Sequence, residues 1–323
     1  MRYWWVNQNQ TYSHEIHGGY LWSPKRKKGG RNPFYEFMRE VAPGDLVFSF
    51  ADTRISAIGV ARSHAYGAPK PEEFGPAGRN WAAIGWRVDV EFRKVLHAVR
   101  PADWIEQLRP LLPSKYSPLQ QNGRGVQSIY LTELPNSLAI ALADLLGSEI
   151  GSLARSEVVA ENLPVATPEV LLWEEHLRQT IQDDSTLRDT EKEALVLARR
   201  GQGLFKKRVQ GVESRCRITG VERLDHLRAS HIKPWRDSTN EERLAGENGL
   251  LLTPSIDHLF DGGFISFEAN GKLLVLPRAH TESLGRMGVP INQEVNVGAF
   301  TKLQTGFLEY HRDDVFLRAR VGR

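Results

Sequence analysis

Residues 230–261 read SHIKPWRDSTNEERLAGENGLLLTPSIDHLFD, and the order of a few side chains in this stretch decides how the whole chain is read. His231 is followed three residues later by Pro234, Asn248 opens the apolar run NGLLLT, and Asp257 and His258 are adjacent beyond Pro254. The apolar run reads as a strand, and a helix begins after it in which Asp257 and His258 are adjacent. A base-type histidine, a geometry-setting amide and a pair of metal-ligand side chains are what one-metal phosphodiester hydrolysis needs. The reaction requires an activated water, charge relief on the phosphate and stabilisation of the departing 3′ oxygen. A neutral imidazole with an ordinary pKa of about 6.5 can take the proton from water. Neighbouring residues on a helix point about 100° apart, so Asp257 and His258 cannot address one ion equally well.

The combined order His, Pro, Asn-Gly, Asp-His and Phe-Asp resembles the HNH (ββα-metal) endonucleases over roughly residues 195–270, in particular the branch with ASHIKPW and NGLLLTPSIDHLFD. The resemblance implies a hairpin followed by a helix. It implies that His231 is the general base at the end of the first strand, and that Asn248 starts the second strand and pins the loop between them. Asp257 is the first choice of metal ligand and His258 the second, with magnesium or manganese suited to a hard oxygen donor. Many members carry Asp or His immediately before the base histidine, where this chain has Ser230. A neutral hydroxyl is a poor ligand, so the ion is expected to be held through water or by Asp261. Asp225 and His226 read as loop surface, and His176, His280 and His311 as structural residues.

Composition sets bounds on the rest. The 323 residues suffice for two domains, and 41% hydrophobic with 25% charged residues describes a soluble globular chain. The net charge of +3 is modest, but it is unevenly spread. Residues 199–236 hold 11 Lys or Arg against three acids, whereas residues 161–198 hold nine acids against three bases. The basic stretch surrounds the candidate site, where phosphates would dock, and Lys206, Lys207, Arg208 and Lys233 are its candidate backbone contacts. Cys216 is the single cysteine, which excludes an internal disulfide and a cysteine-rich structural zinc; it is expected to pack under the hairpin. The opening MRYWWVNQNQ lacks the pattern of a signal peptide and no run approaches a membrane span, so a cytoplasmic protein is expected.

Three segments follow from the patterning. Residues 1–147 alternate short β-type runs (YWWVNQ, DLVFSFA, SAIGVARSHAY, GWRVDVEF, QSIYLTEL) with turn clusters and a few helices, which suits a small curved or closed sheet. Residues 148–195 read as linker and helices, and residues 196–323 as the nuclease domain with a C-terminal helix. The expected class is α+β: a PUA-like small β-barrel with flanking helices, a helical linker and a ββα-metal domain. The segment GGYLWSPKRKKGGRNPFYEFMREVAPGDLVFSFADTRISAIGVARSHAY resembles the EVE domain, a PUA-like barrel related to the YTH readers of methylated adenine. That resemblance covers most of residues 1–145 and implies an aromatic pocket for a flipped base. Trp22, Trp81 and Trp86 are the pocket candidates, Asn7, Ser23 and Asp52 the candidates for hydrogen bonds to the base edge, and one of Trp4 and Trp5 a candidate for its floor. Lys25, Arg26, Lys27, Lys28 and Arg31 form a basic loop beside Trp22, where a DNA backbone would lie.

Together these readings imply a modification-dependent endonuclease acting on double-stranded DNA. The N-terminal domain would capture 5-methylcytosine or 5-hydroxymethylcytosine by base flipping, and the C-terminal domain would cut nearby with one divalent ion. Cutting both strands requires two active sites or two nicks, so a homodimer is expected, through residues 165–200 or the helix TGFLEYHRDDVF. A modified DNA or RNA reader with a silent nuclease, an RNA-directed enzyme, and a nuclease indifferent to modification remain as alternatives.

Overall fold

A computed structural model describes residues 1–27, 30–147, 150, 168–199, 201–277 and 279–318. The chain divides into two compact units, Met1–Val165 with Ala319–Arg323, and Ala166–Arg318.

The first unit is built on β1 (Tyr3–Asn7), helix α1 (Tyr12–Gly18), β2 (Tyr20–Pro24), β3 (Leu46–Ala51), β4 (Arg54–Ala61), β5 (Tyr66–Pro69), β6 (Ile84–Val99), β7 (Leu131–Leu134) and helix α2 (Asn136–Leu146). The strands form one curled half-barrel in the order β2-β6-β4-β3-β1-β7, with β5 on the second edge of β6. Only β1 and β3 are parallel among these pairs. The curl has a local cause. Register shifts at Ser49/Phe50 and Ile55/Ala57 bend β3 and β4, and the sixteen-residue β6 pairs with β2 and β5 through its first half and with β4 through its second. Apolar side chains of α2 close one face over Trp5, Phe48 and Phe50. Trp4, on the other face, donates its indole N–H to Asp45 Oδ2 at 3.0 Å.

The second unit opens with α3 (Pro168–Asp183), α4 (Asp189–Arg199) and α5 (Gly203–Gln210). An antiparallel hairpin follows, β8 (Arg228–His231) with β9 (Gly249–Leu252), bridged by a loop that contains α6 (Asn240–Leu244), and then α7 (Pro254–Asp261). Thr239 and Glu242 form a reciprocal capping box that fixes the start of α6. Beyond it lie the β10–β11 ribbon (Ile265–Phe267, Leu273–Val275) and α8 (Lys302–Asp314). Gly249 has a packing reason. A Cβ there would stand 2.3 Å from Val209 Cγ2 and 3.0 Å from the Phe205 ring, so only glycine lets α5 lie this close beneath the hairpin. Cys216 is fully buried in this unit's core. His311 is buried too, stacked on Phe260 at 3.8 Å and bonded to Phe260 O and Ser266 Oγ. Among the described residues, no helix is long and apolar enough to cross a membrane.

Candidate functional site

In the second unit, β8, α7, the middle of α3 and the end of α4 line a recess of ≈ 470 Å³ whose lining includes Ser230, His231, Asp257 and Asp261. His231 ends β8 with its ring flat against Phe205, 3.8 Å between centroids and 3° from parallel. Its Nε2 lies 3.0 Å from the carbonyl oxygen of Arg243. A carbonyl only accepts, so Nε2 carries the proton, and the lone pair of the neutral ring belongs to Nδ1. Desolvation lowers the imidazole pKa to about 4, with the Arg243 carbonyl working against that shift and the Arg243 charge adding to it. The ring is therefore neutral at physiological pH.

Asn248 stands behind the recess, fully buried. Its Oδ1 accepts from Lys233 N at 2.8 Å, and its Nδ2 reaches Lys233 O, Ser238 Oγ and Glu242 O at 3.2, 3.3 and 3.0 Å. One amide thus ties both ends of the loop that carries the Arg243 carbonyl.

Asp257 and Asp261 are four residues apart on α7, so both face the recess. Asp257 Oδ2 accepts from Arg228 Nη1 at 3.3 Å. Asp261 has a raised pKa, first from desolvation of a carboxyl that lines the recess, then from the nearby charges of Asp257 and Glu174, with Arg236 opposing. The residue as a whole remains exposed. A divalent cation would relieve this crowding of oxygen donors, and the donor type fits magnesium or manganese, which keep several waters. Among the described residues, no group of three or more His, Cys, Asp and Glu is placed to hold a metal ion, so this pair would be completed by water. His258 does not line the recess: the helical rotation turns it outward, against Phe264 at 6.5 Å. Ser230 is buried and lines the recess.

Sequence reasoning did not single out Glu174, Arg199, Gln202, Arg228 or Arg236, all of which line the recess. The excess of arginine between residues 199 and 236 was the available signal, but it could not say which side chains point inward. Of the basic candidates, Lys206 lines the recess and donates to Leu227 O. Lys233 instead pairs with Glu242 at 2.6 Å, Arg208 donates to Leu244 O, and Lys207 is exposed. Asp225 and His226 are exposed, as is His176, while His280 caps the helix Thr281–Arg286.

In the first unit, the open seam of the half-barrel between the ends of β1 and β2 holds a cavity of ≈ 420 Å³, lined among others by Asn7, Trp22, Ser23, Tyr35, Trp81 and Tyr130. Trp22 is buried and stacks on the half-buried Trp81, 5.9 Å between centroids and 24° from parallel. Gly85 makes room for it, since a Cβ there would meet the Trp22 ring at 2.4 Å. Asn7 Oδ1 and Ser23 Oγ are buried without a hydrogen-bond partner. Behind the wall, Glu15 Oε1 accepts from Tyr130 Oη at 2.6 Å and Trp22 N at 2.9 Å, and its Oε2 accepts from Gln8 and Thr11. Burial drives the Glu15 pKa up to about 7 against the pull of these four bonds. Nothing in the local sequence marked Glu15, because its partners come from three separate segments: the β1–α1 connection, β2 and the residue before β7.

Three expectations about this cavity are corrected. Trp86 is buried away from it: on β6 it pairs with Ser23 while Arg87 pairs with Trp22, so alternation sends its ring to the other face, against Lys25 Nζ at 4.4 Å. Lys25 is accordingly buried rather than presented. Asp52 sits at the tip of the two-residue β3–β4 turn with φ of 48°, and Thr53 follows at 68°, so the turn and not the cavity claims it. Neither Trp4 nor Trp5 lines the floor; both are fully buried in a central strand covered on both faces. Of the remaining loop cations, Arg26 and Lys27 are exposed, Arg31 pairs with Glu36 at 3.3 Å, and Lys28 lies outside the described residues.

Residues 216–268 match the family model described as HNH endonuclease, a span that includes His231, Asn248, Asp257 and Asp261. No curated protein matches the chain. The first unit is similar to solved structures at low identity. One is a Pseudomonas putida protein, 13% identical over 45% of this chain and 99% of its own, with a TM-score of 0.31. Another is the YTH domain of the Zygosaccharomyces rouxii MRB1 protein in complex with N6-methyladenosine RNA, 14% identical over 45% of this chain and 86% of its own, with a TM-score of 0.30. The Pho92 YTH domain in complex with m6A is 12% identical over 49% and 89%, with a TM-score of 0.29.

Proposed function

We propose that the protein is a metal-dependent endonuclease that cuts DNA near a modified cytosine, which the first unit reads. The carrying observation is the fixed tautomer of His231: a carbonyl claims Nε2 and leaves Nδ1 as the basic nitrogen, on a ring that lines one recess with Asp257 and Asp261. A magnesium or manganese ion held by the two carboxylates would supply charge relief for the phosphate and the leaving oxygen. His231 would take the proton from the attacking water, and the ring stacking on Phe205 would keep it aimed. An approaching phosphate raises the basicity of the buried imidazole, because its negative charge stabilises the imidazolium.

The reader assignment rests on the cavity beside Trp22. A modified cytosine presents a π face to an indole and an exocyclic N–H to an acceptor such as Asn7 Oδ1. Trp81, half-buried over Trp22, would swing back to admit the base and pack on its other face. Digestion of matched plasmids with and without cytosine methylation tests the whole reading; equal cutting of both would sink the modification requirement. A second reading, a modified nucleic-acid reader with a silent nuclease, is favoured by the short ligand set and by Ser230. Absence of cutting in manganese by a chain that still binds methylated duplex would select it.

Two expected outcomes follow for single variants. Asp257→Ala should raise the manganese concentration needed for half-maximal cutting, whereas His258→Ala should leave it close to wild type. The reverse ranking would turn α7 by one residue. Trp81→Ala should lower affinity for modified duplex by about 1–3 kcal/mol and hardly change that for unmodified duplex. Trp22→Ala should follow the same pattern with an added loss of stability, because Trp22 is buried. Equal losses on both duplexes would assign these rings to the fold or to backbone contact.

A further inference from the structure

The recess around His231 contains an ion-pair arrangement that the proposed chemistry does not use. Glu174, from α3, bridges two guanidinium groups: Oε2 to Arg199 Nη2 at 2.7 Å and Oε1 to Arg236 Nη1 at 3.4 Å. All three side chains line the recess with His231, and each is at least 70% buried, with side-chain exposures of 19%, 28% and 19%. The fit is incomplete. The second bond is long, and Arg236 Nε is buried with no hydrogen-bond partner. A carboxylate offers two oxygens in one plane, which is too few for two forks and the leftover Nε–H. A phosphodiester brings a full charge and non-bridging oxygens set tetrahedrally, which can engage both forks at once.

We propose that Arg199 and Arg236 form a phosphodiester-binding site beside His231, and that Glu174 occupies it in the free protein as a stand-in anion. The ligand class is a DNA backbone phosphate. Binding exchanges one anion for another: the Glu174 carboxylate leaves the guanidiniums for water as the phosphate arrives. Asp257 and Asp261, on the acidic side of the recess, weaken that binding when no cation is present, and they do so equally in every variant at Glu174 or Arg199, which gives the two halves separate duties. Glu174 thereby weakens every non-specific encounter, so backbone contact alone is a poor route into the nuclease. The proposal rests on the nuclease reading of this recess, but it makes its own prediction about binding.

The test measures the affinity of the full chain for a short unmodified duplex in EDTA, across a salt series, so that no cutting is involved. Glu174→Gln keeps the shape and removes the charge. It should bind about fivefold tighter, the scale of one partly exposed ion pair. The slope of log affinity against log salt should steepen by about 0.9, one added phosphate contact. Adding Arg199→Ala to Glu174→Gln in a double variant should remove both gains. Glu174→Asp, charged but shorter, should lie between wild type and Glu174→Gln, and it serves if the glutamine variant is unstable. Wild-type affinity and slope in either folded single variant, or weaker binding with unchanged melting temperature, would overturn the proposal. The nuclease reading fails separately, if wild type binds as described and never cuts in manganese.

Discussion

His231→Ala should lower the cleavage rate at least about 100-fold, the contribution of a positioned general base, with little change in affinity for modified duplex. The loss follows from a chain of contacts. Phe205 fixes the plane of the ring, Arg243 O fixes which nitrogen holds the proton, and the ring lines the same recess as Asp257. A variant still cutting at more than about a hundredth of the wild-type rate would remove His231 from the reaction. The pH dependence gives an independent reading. The base works unprotonated and kcat/KM reports the free protein, so activity should rise with pH through about 4 and not through 6.5. An acid limb centred near 6.5 would mean that the imidazole is not desolvated as described. The same group links to stability. Its folded pKa lies below the unfolded value of 6.5, so the unfolded chain binds more protons between them. The contribution is whole above about 6.5 and is lost as pH falls toward about 4; in His231→Ala that part of the acid sensitivity should vanish.

Asn248→Ala should have the largest effect on stability, roughly 3 kcal/mol, together with a loss of cutting. Removing this amide strips partners from Lys233 N, Lys233 O and Glu242 O in a fully buried position, and unmet polar groups of this kind cost about 1–3 kcal/mol each before relaxation. The catalytic consequence is indirect. Glu242 and Arg243 are neighbours in one loop, so releasing the carbonyl of the first frees the carbonyl that orients His231. Urea unfolding and cleavage should therefore fall together, and the tautomer of His231, followed by its imidazole nitrogen resonances, should become mixed. A stable Asn248→Ala with wild-type cutting would reduce the residue to a spectator.

The pattern of residues 230–261 was enough to give the strand β9 and the helix after it, because each is encoded locally, whereas the pairing of β9 with β8 was implied by the family resemblance. A fully apolar four-residue run makes β9, Pro254 starts α7, and a helical repeat of four puts Asp257 and Asp261 on one side. The N-terminal half-barrel was legible for the same reason: its strands are runs of buried aromatic and β-branched residues broken by turn chemistry. Facing was legible only in part. Trp22 and Trp86 looked equivalent in the sequence, and β2–β6 register alone sends them to opposite faces. Asp52 carried the chemistry of a base contact and was spent on a turn whose geometry depends on the β3–β4 pairing. Glu15 gathers its partners across a seam between non-neighbouring strands, and Glu174 meets Arg199 and Arg236 from a different helix. Such contacts join residues distant in the chain, and no local propensity encodes them. The order of His231, Asn248 and Asp257 along the chain carries the chemistry proposed for the second unit; packing sets which side chains reach the recess, which nitrogen of His231 is free, and which charges are already matched.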